Sequence, residues 1–174
     1  MVWLSDGAEA TLMSILGPVL VCEWNISNWQ EALFSGIPYI GWAVGGIIFG
    51  VIADKYGRKA SLILCASWVF YYSVVSASSP TYSWMVMLRL FVGLGIAGVP
   101  QTAAYYVEFL PVQYRGKAIV LIEIFFALGG IFAGVLALLL LNEYGWRWWL
   151  VACAAPAFSF LLFSKWIPES PRYH

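Results

Sequence analysis

From Ala32 to Ala53 the chain contains no Asp, Glu, Lys or Arg, and from Ala60 to Leu88 it again contains none. Between the two stretches Asp54, Lys55, Arg58 and Lys59 crowd together, although only 10% of all residues are charged. A helix rises about 1.5 Å per residue, so about 20 uncharged apolar residues cross the roughly 30 Å of hydrocarbon in a bilayer. Two such stretches joined by a knot of charge describe a chain that leaves a membrane and turns back into it. Composition agrees: 62% of residues are hydrophobic and the mean hydropathy is +0.81, against roughly 45–50% apolar residues in a soluble domain. Nine basic and nine acidic residues could not clothe a water-soluble domain of 174 residues. Lipid is therefore the expected solvent.

The formal net charge is zero, so no nucleic-acid partner is expected. Cys22, Cys65 and Cys153 are scattered, with neither a disulfide framework nor a metal-ligand spacing. There is no HExxH, nucleophile elbow or Walker loop, and the one histidine, His174, is terminal. The expectation is a non-enzyme with no metal, no catalytic residue and no cofactor.

Reading for spans gives an all-α membrane protein with six transmembrane helices, at about 1–21, 32–53, 60–78, 84–107, 118–141 and 148–166. Breakers mark the connections: Asn25 to Asn28, Ser78-Ser79-Pro80, Pro111, and Asn142 to Gly145. Trp24, Trp29, Trp84, Trp146, Trp148, Trp149 and Trp166 fall at expected ends, where amphipathic rings favour the headgroup level. Lys55, Arg58, Lys59, Arg115, Lys117, Lys165 and Arg172 gather on one side, whereas the opposite loops hold only Arg147. The positive-inside rule then puts both termini in the cytoplasm, in either the plasma membrane or an intracellular vesicle. The first span is unusual, because only uncharged residues separate Glu9 from Glu23 and that interval is too short to cross. Residues missing upstream would explain it. No basic n-region precedes it, so it is not a signal peptide. The Asn25-Ile26-Ser27 sequon sits in a loop too short for ready glycosylation.

Gly50, Asp54, Lys55, Gly57, Arg58 and Lys59 fall in the order of a loop signature: Gly, three residues, Asp, Arg or Lys, any residue, Gly, two basic residues. Gly50 would let helices approach, Gly57 would allow a turn at positive φ, and Asp54 could pair with Arg58. The loop resembles that of the major facilitator superfamily. Further resemblances follow in order. Arg89 to Gly98 is similar to the superfamily's fourth-helix pattern. Glu108 to Gly116, with Pro111 and Arg115, resembles the sugar-porter signature, and Pro168-Glu169-Ser170-Pro171-Arg172 resembles the one after the sixth helix. Cys22-Glu23-Trp24, Val99-Pro100-Gln101 and Gly145-Trp146-Arg147-Trp148 are most similar to the synaptic vesicle glycoprotein-related, SVOP-like orphan transporters. The resemblance covers the N-terminal six-helix half of a twelve-helix family.

It implies a secondary transporter moving a small organic solute by alternating access, with a C-terminal half, a second copy or a full-length relative completing the site. It also implies a cytoplasmic gating network of Asp54, Arg58, Glu108, Arg115 and Glu169, flanked by Gly50, Gly57, Lys59 and Arg172. A second reading is a truncated, non-transporting isoform that associates with a full-length relative and regulates it. Counting from Arg115, Glu123 stands where sugar porters carry a sugar-binding Gln. That argues against a hexose and for an organic cation, zwitterion or proton-linked organic ion, while an acidic site next to Arg89 would also suit a carboxylate, so the sign of the substrate's charge stays open.

Gly93-Leu94-Gly95-Ile96-Ala97-Gly98 also satisfies a dinucleotide fingerprint, but it lies inside an apolar run instead of following a strand. Close helix packing by small residues is the better account. Ionisable groups within spans are the substrate or proton candidates, since each costs at least about 2.5–3.5 kcal/mol at a helix centre. They are Asp6, Glu9, Arg89 and Glu123, with Gln101 as a polar addition. A carboxyl facing a cavity can bind and release protons; alternatively Asp6 and Glu9 lie at a frayed helix start, and Glu123 makes a structural hydrogen bond. Arg89, toward the non-cytoplasmic end of the fourth span, could pair with an acid, meet an anionic substrate or snorkel. Gln101 could bind substrate or bridge helices. The orientation is testable: Lys59→Cys, with the native cysteines changed to serine, should react with a membrane-impermeant maleimide only from the cytoplasmic side.

Overall fold

The computed structural model describes residues 2–164, apart from the side chains of Tyr105, Glu108 and Val112. The helices are α1 (Val2–Trp24), α2 (Asn28–Tyr56), α3 (Arg58–Ala77), α4 (Tyr82–Ile96), α5 (Val99–Glu108), α6 (Arg115–Leu140), α7 (Trp146–Cys153) and α8 (Ala155–Phe163), with a short 3-10 turn at Val112–Tyr114. Taken as apolar crossings they make six, because α4 with α5 and α7 with α8 each form one span. The expected residues 165–166 of the last span, with Glu169 and Arg172, lie outside the described residues.

Local chemistry sets the turns. At the start of α2, Ser27 Oγ accepts from the Gln30 amide at 3.4 Å while Gln30 Oε1 accepts from the Ser27 amide at 2.9 Å, a capping box that starts α2 three residues after α1 ends. The hydroxyl of the Asn25 sequon is thus engaged in a helix cap. At the other end of α2, Gly57 is at once the last cap of α2 and the first of α3, with φ 91°, a conformation that only glycine adopts cheaply. The chain reverses there within one residue.

The helices depart from the expected spans at several ends and within two of them: α2 runs from Asn28 to Tyr56 instead of 32–53, and α6 starts at Arg115 instead of 118. α1 runs on to Trp24 instead of ending near 21. The fourth span is two helices, not one, because Pro100 in the first turn of α5 has no amide to donate and its ring excludes a continuous helix. The turn tightens instead, with Ala97 N donating to Gly93 O at 3.3 Å and Gly98 N to Gly95 O at 3.2 Å. Pro156 does the same at Ala154, whose amide is shared between Leu150 O at 3.3 Å and Val151 O at 3.2 Å.

Two close seams hold the bundle. Lipid tails are as apolar as leucine, so helices in a bilayer associate by close packing instead of by escape from water. Between α1 and α6, a methyl at Gly7 would land on the carbonyl oxygen of Phe126, and one at Gly129 on that of Leu4. Between α2 and α4, Gly41 and Gly45 meet the carbonyls of Leu90 and Leu94, and Gly93 meets that of Pro38. Gly95 and Gly98 press on Trp68, Val69 and Cys65 of α3. The glycines that mimic a nucleotide fingerprint are packing surfaces toward two helices, α2 and α3. Gly50 differs from expectation within the described residues: a methyl there would meet nothing within 4 Å, and the close approaches on α2 are those of Gly45 and Gly41, about one and a half to two and a half turns earlier. On the side away from the charged turn, Leu12, Leu16 and Leu20 of α1 pack with Phe34, Met85, Ala133 and Trp149, whose indole donates to Ala133 O at 3.0 Å.

Gly93→Val should therefore force α2 and α4 apart and cost at least about 1–3 kcal/mol, seen as a lower unfolding midpoint in detergent. Gly46→Val, facing open space on the same α2, should change the midpoint little.

Candidate functional site

Leu12 and Leu16 place one stripe of α1 against the core, and Glu9 lies on that stripe, 2% exposed. A carboxylate there must find charge and hydrogen bonds inside the protein. Arg89 of α4, 0% exposed, supplies both: its Nη1 stands 2.8 Å from Glu9 Oε2. The other carboxylate oxygen accepts from the hydroxyl of Ser73 on α3. One acid thus ties three helices together. Arg89 is left with Nε and Nη2 lacking partners among the described residues, so the cluster contains more donors than it uses. Cys153 of α7, also sealed, lies within electrostatic reach of both Glu9 and Arg89.

Asp6, one helical turn before Glu9, is only partly buried. The charges that reach it, those of Glu9 and Glu123, are both negative. With Glu9 it borders a cleft of about 320 Å³ whose walls include Tyr39 and Trp42 of α2, Gly93 of α4 and Phe126 of α6. On its other side the same acid pair borders a small pocket of about 20 Å³ together with Ser5, Cys65, Val99 and Ala157. An acid whose neighbours are acids, facing aromatic rings, is suited to an organic cation.

The remaining candidates separate. Glu123 is exposed and lies off the α6 stripe of Gly129, Ala133 and Ala137 that packs against α1; it reaches Asp6 by charge alone. Gln101 accepts from the Ser61 hydroxyl at 2.9 Å, and Ser61 also donates to Phe49 O at 3.3 Å, so Gln101 joins a bridge from α5 through α3 to α2. At the charged turn Asp54 is exposed, Lys55 Nζ lies 5.3 Å from the Tyr56 ring centre, and Arg115 Nε donates to Leu110 O at 3.3 Å. The Glu108 side chain, Glu169 and Arg172 lie outside the described residues. Sequence reasoning missed Ser73 and the aromatic wall of Tyr39 and Trp42. Ser73 had a signal, since it falls on the Leu62, Ala66, Val69 stripe of α3. The aromatic wall had none, because an aromatic residue on a lipid-facing helix needs no polar purpose.

Removing one member of the pair should expose its worth. Glu9→Leu strands a guanidinium and should cost about 3–5 kcal/mol, lowering the unfolding midpoint in detergent. Glu9→Leu with Arg89→Met should recover most of that loss; equal losses in the single and double variants would show that the two charges do not support one another.

The comparisons with known proteins concern the family and the fold. The family model "Sugar (and other) transporter" matches residues 5–174. The synaptic vesicle 2-related protein of Bos taurus is 44% identical over 98% of this chain and 31% of its own length. The organic cation/carnitine transporter 7 of Arabidopsis thaliana is 39% identical over 98% of this chain and 34% of its own. The chain thus spans about a third of the length of these relatives. Among solved structures, the inward-open xylose transporter XylE from E. coli superposes with a TM-score of 0.86 at 24% identity, over 99% of this chain and 47% of that one. The chain belongs to the sugar (and other) transporter family of the major facilitator superfamily, with the fold of its N-terminal six-helix half.

Proposed function

We propose that the chain is half of a secondary transporter that carries a small organic cation across the bilayer by alternating access, coupled to a proton taken up at the Asp6–Glu9 acid pair of α1. The observation that supports this reading is the sealed Glu9–Arg89 pair beside the cleft that Asp6 shares. While Glu9 is ionised, Arg89 and Ser73 hold α4 and α3 to α1. A proton on Glu9 removes the charge that compensates Arg89, and a guanidinium in hydrocarbon must then find another partner. Protonation therefore favours a rearranged bundle, as a coupling group must. Asp6 lines the cleft with Tyr39 and Trp42, where the positive charge of a solute would meet a carboxyl and aromatic rings together. The printed name of the Arabidopsis thaliana relative, an organic cation/carnitine transporter, favours the same solute class. A midplane site between two six-helix halves needs a second half, supplied by further residues of the protein or by a second copy.

The test is uptake into proteoliposomes under an imposed pH gradient, for this chain and for the chain joined to a second six-helix half. A quaternary ammonium probe should accumulate, and a hexose should not. Asp6→Asn should cut ammonium uptake about tenfold, the worth of one charged contact. Glu9→Gln should abolish the response to the gradient while exchange of solute for solute persists. Hexose uptake in place of ammonium uptake, or accumulation indifferent to pH, would rule the reading out.

A further inference from the structure

On the face opposite the charged turn, the end of α1 and the start of α7 enclose a second, open pocket of about 260 Å³, lined by Glu23, Tyr144, Gly145, Trp146, Arg147 and Trp148. It is separate from the cleft at Asp6 and plays no part in the coupling described above. Its floor is held by the α6 exit turn, where Tyr144 N and Gly145 N both donate to Leu140 O, at 2.9 and 3.1 Å, and Gly145 takes φ 80°.

The two charges in this pocket are badly placed for the helices that bear them. Glu23 sits in the last turn of α1, whose end is already partly negative, and Arg147 in the first turn of α7, whose start is already partly positive. Each would be relieved by a counter-charge. They do not supply it to one another: no ion pair joins them among the described residues, and the Arg147 guanidinium lies over the Trp146 ring at 5.3 Å. A simple anion entering the pocket would meet Glu23, and a simple cation would meet Arg147. Only a ligand carrying both charges, held apart by a short linker, relieves both helix ends.

The surrounding rings indicate where such a ligand comes from. Trp24, Trp29, Trp84, Trp146 and Trp148 all belong to helix ends on this one face, and Trp148 is 64% exposed. A belt of this kind marks headgroup depth. Trp24 and Trp146, edge to face at 5.7 Å, fix the seam between α1 and α7 from which the pocket opens.

We infer that this pocket binds the headgroup of a zwitterionic phospholipid, phosphate toward Arg147 and ammonium toward Glu23. The inference needs the chain to cross a bilayer but not to transport anything, so its failure and the failure of the transport reading are independent. The test uses the purified chain in mixed micelles of detergent with phosphatidylethanolamine or phosphatidylglycerol, with retained lipid counted by native mass spectrometry. Phosphatidylethanolamine should be retained about tenfold better than phosphatidylglycerol, the worth of one charged hydrogen bond. Glu23→Gln should bring that ratio to about one by weakening only the ethanolamine lipid, whereas Arg147→Gln should weaken both lipids. Both side chains are exposed, so the variants should fold, and an unchanged unfolding midpoint in lipid-free micelles checks it. Equal retention of the two lipids by the unaltered chain, or a ratio that Glu23→Gln leaves alone, overturns the inference. Binding of soluble phosphoethanolamine as tightly as phosphatidylethanolamine would also overturn it, in favour of a water-borne zwitterion.

Discussion

A guanidinium with no exposed surface, set among apolar helices, is the most demanding group in this structure. Neither water nor headgroups reach Arg89, so its charge must be answered by Glu9, and the position of Glu9 is fixed in turn by Ser73. In addition to the Trp68 indole of α3 that donates to Phe91 O of α4 at 2.9 Å, three helices thereby share one charged centre. Such a pair adds little net stability over a well-packed apolar replacement, because bringing both charges out of water costs nearly what their attraction returns. Its value lies in its sensitivity. Any event that alters one partner leaves the other uncompensated where compensation is hardest to find.

The rest of the bundle is suited to transmit such an event. The α1–α6 and α2–α4 seams are backbone against backbone, with glycine on one side and a carbonyl on the other. Surfaces of that kind resist deformation but can move as units. The breaks at Ala97–Gly98 and at Ala154 divide the fourth and sixth spans, so α5 and α8 are not rigidly continuous with α4 and α7. Val99 and Ala157, just beyond the two breaks, border the small pocket that Glu9 also borders. The charged centre and the joints of the bundle are therefore neighbours.

How far this was legible in the sequence depends on which physical property each feature uses. Crossing a bilayer needs length and hydropathy, both linear in sequence, and six crossings follow from them. The turn at Gly57 was legible because a basic turn between two uncharged stretches leaves room for only a short reversal, and glycine is the residue that makes it. The breaks in the fourth and sixth spans were hidden although Pro100 and Pro156 are plain to see. Hydropathy sums over a window and does not register one missing amide. Glu9 and Arg89 were visible as charges in apolar surroundings, but that they meet is a fact about which faces of α1 and α4 turn inward, and two helical stripes eighty residues apart carry no mark of each other. Gly50 illustrates a related point: glycine signals that a close approach is possible, while the neighbouring helix decides where it occurs, and within the described residues it occurs at Gly41 and Gly45.

Asp6 shows why the two acids of α1 cannot be exchanged. They are three residues apart and chemically similar, yet Glu9 is enclosed with a cation and a hydroxyl while Asp6 meets a cleft and the charges of two other acids. Burial with a partner makes the first responsive to the state of the bundle. Partial exposure without one leaves the second available to whatever enters the cleft. A helix of pitch about 5.4 Å thus sets the enclosed acid one turn from the acid that borders the cleft, close enough for each to change the electrostatic field of the other. On the proposed transport reading, coupling between solute and bundle would need no long pathway through the protein, because a cation placed between Asp6 and Glu9 lowers their repulsion and its departure restores it.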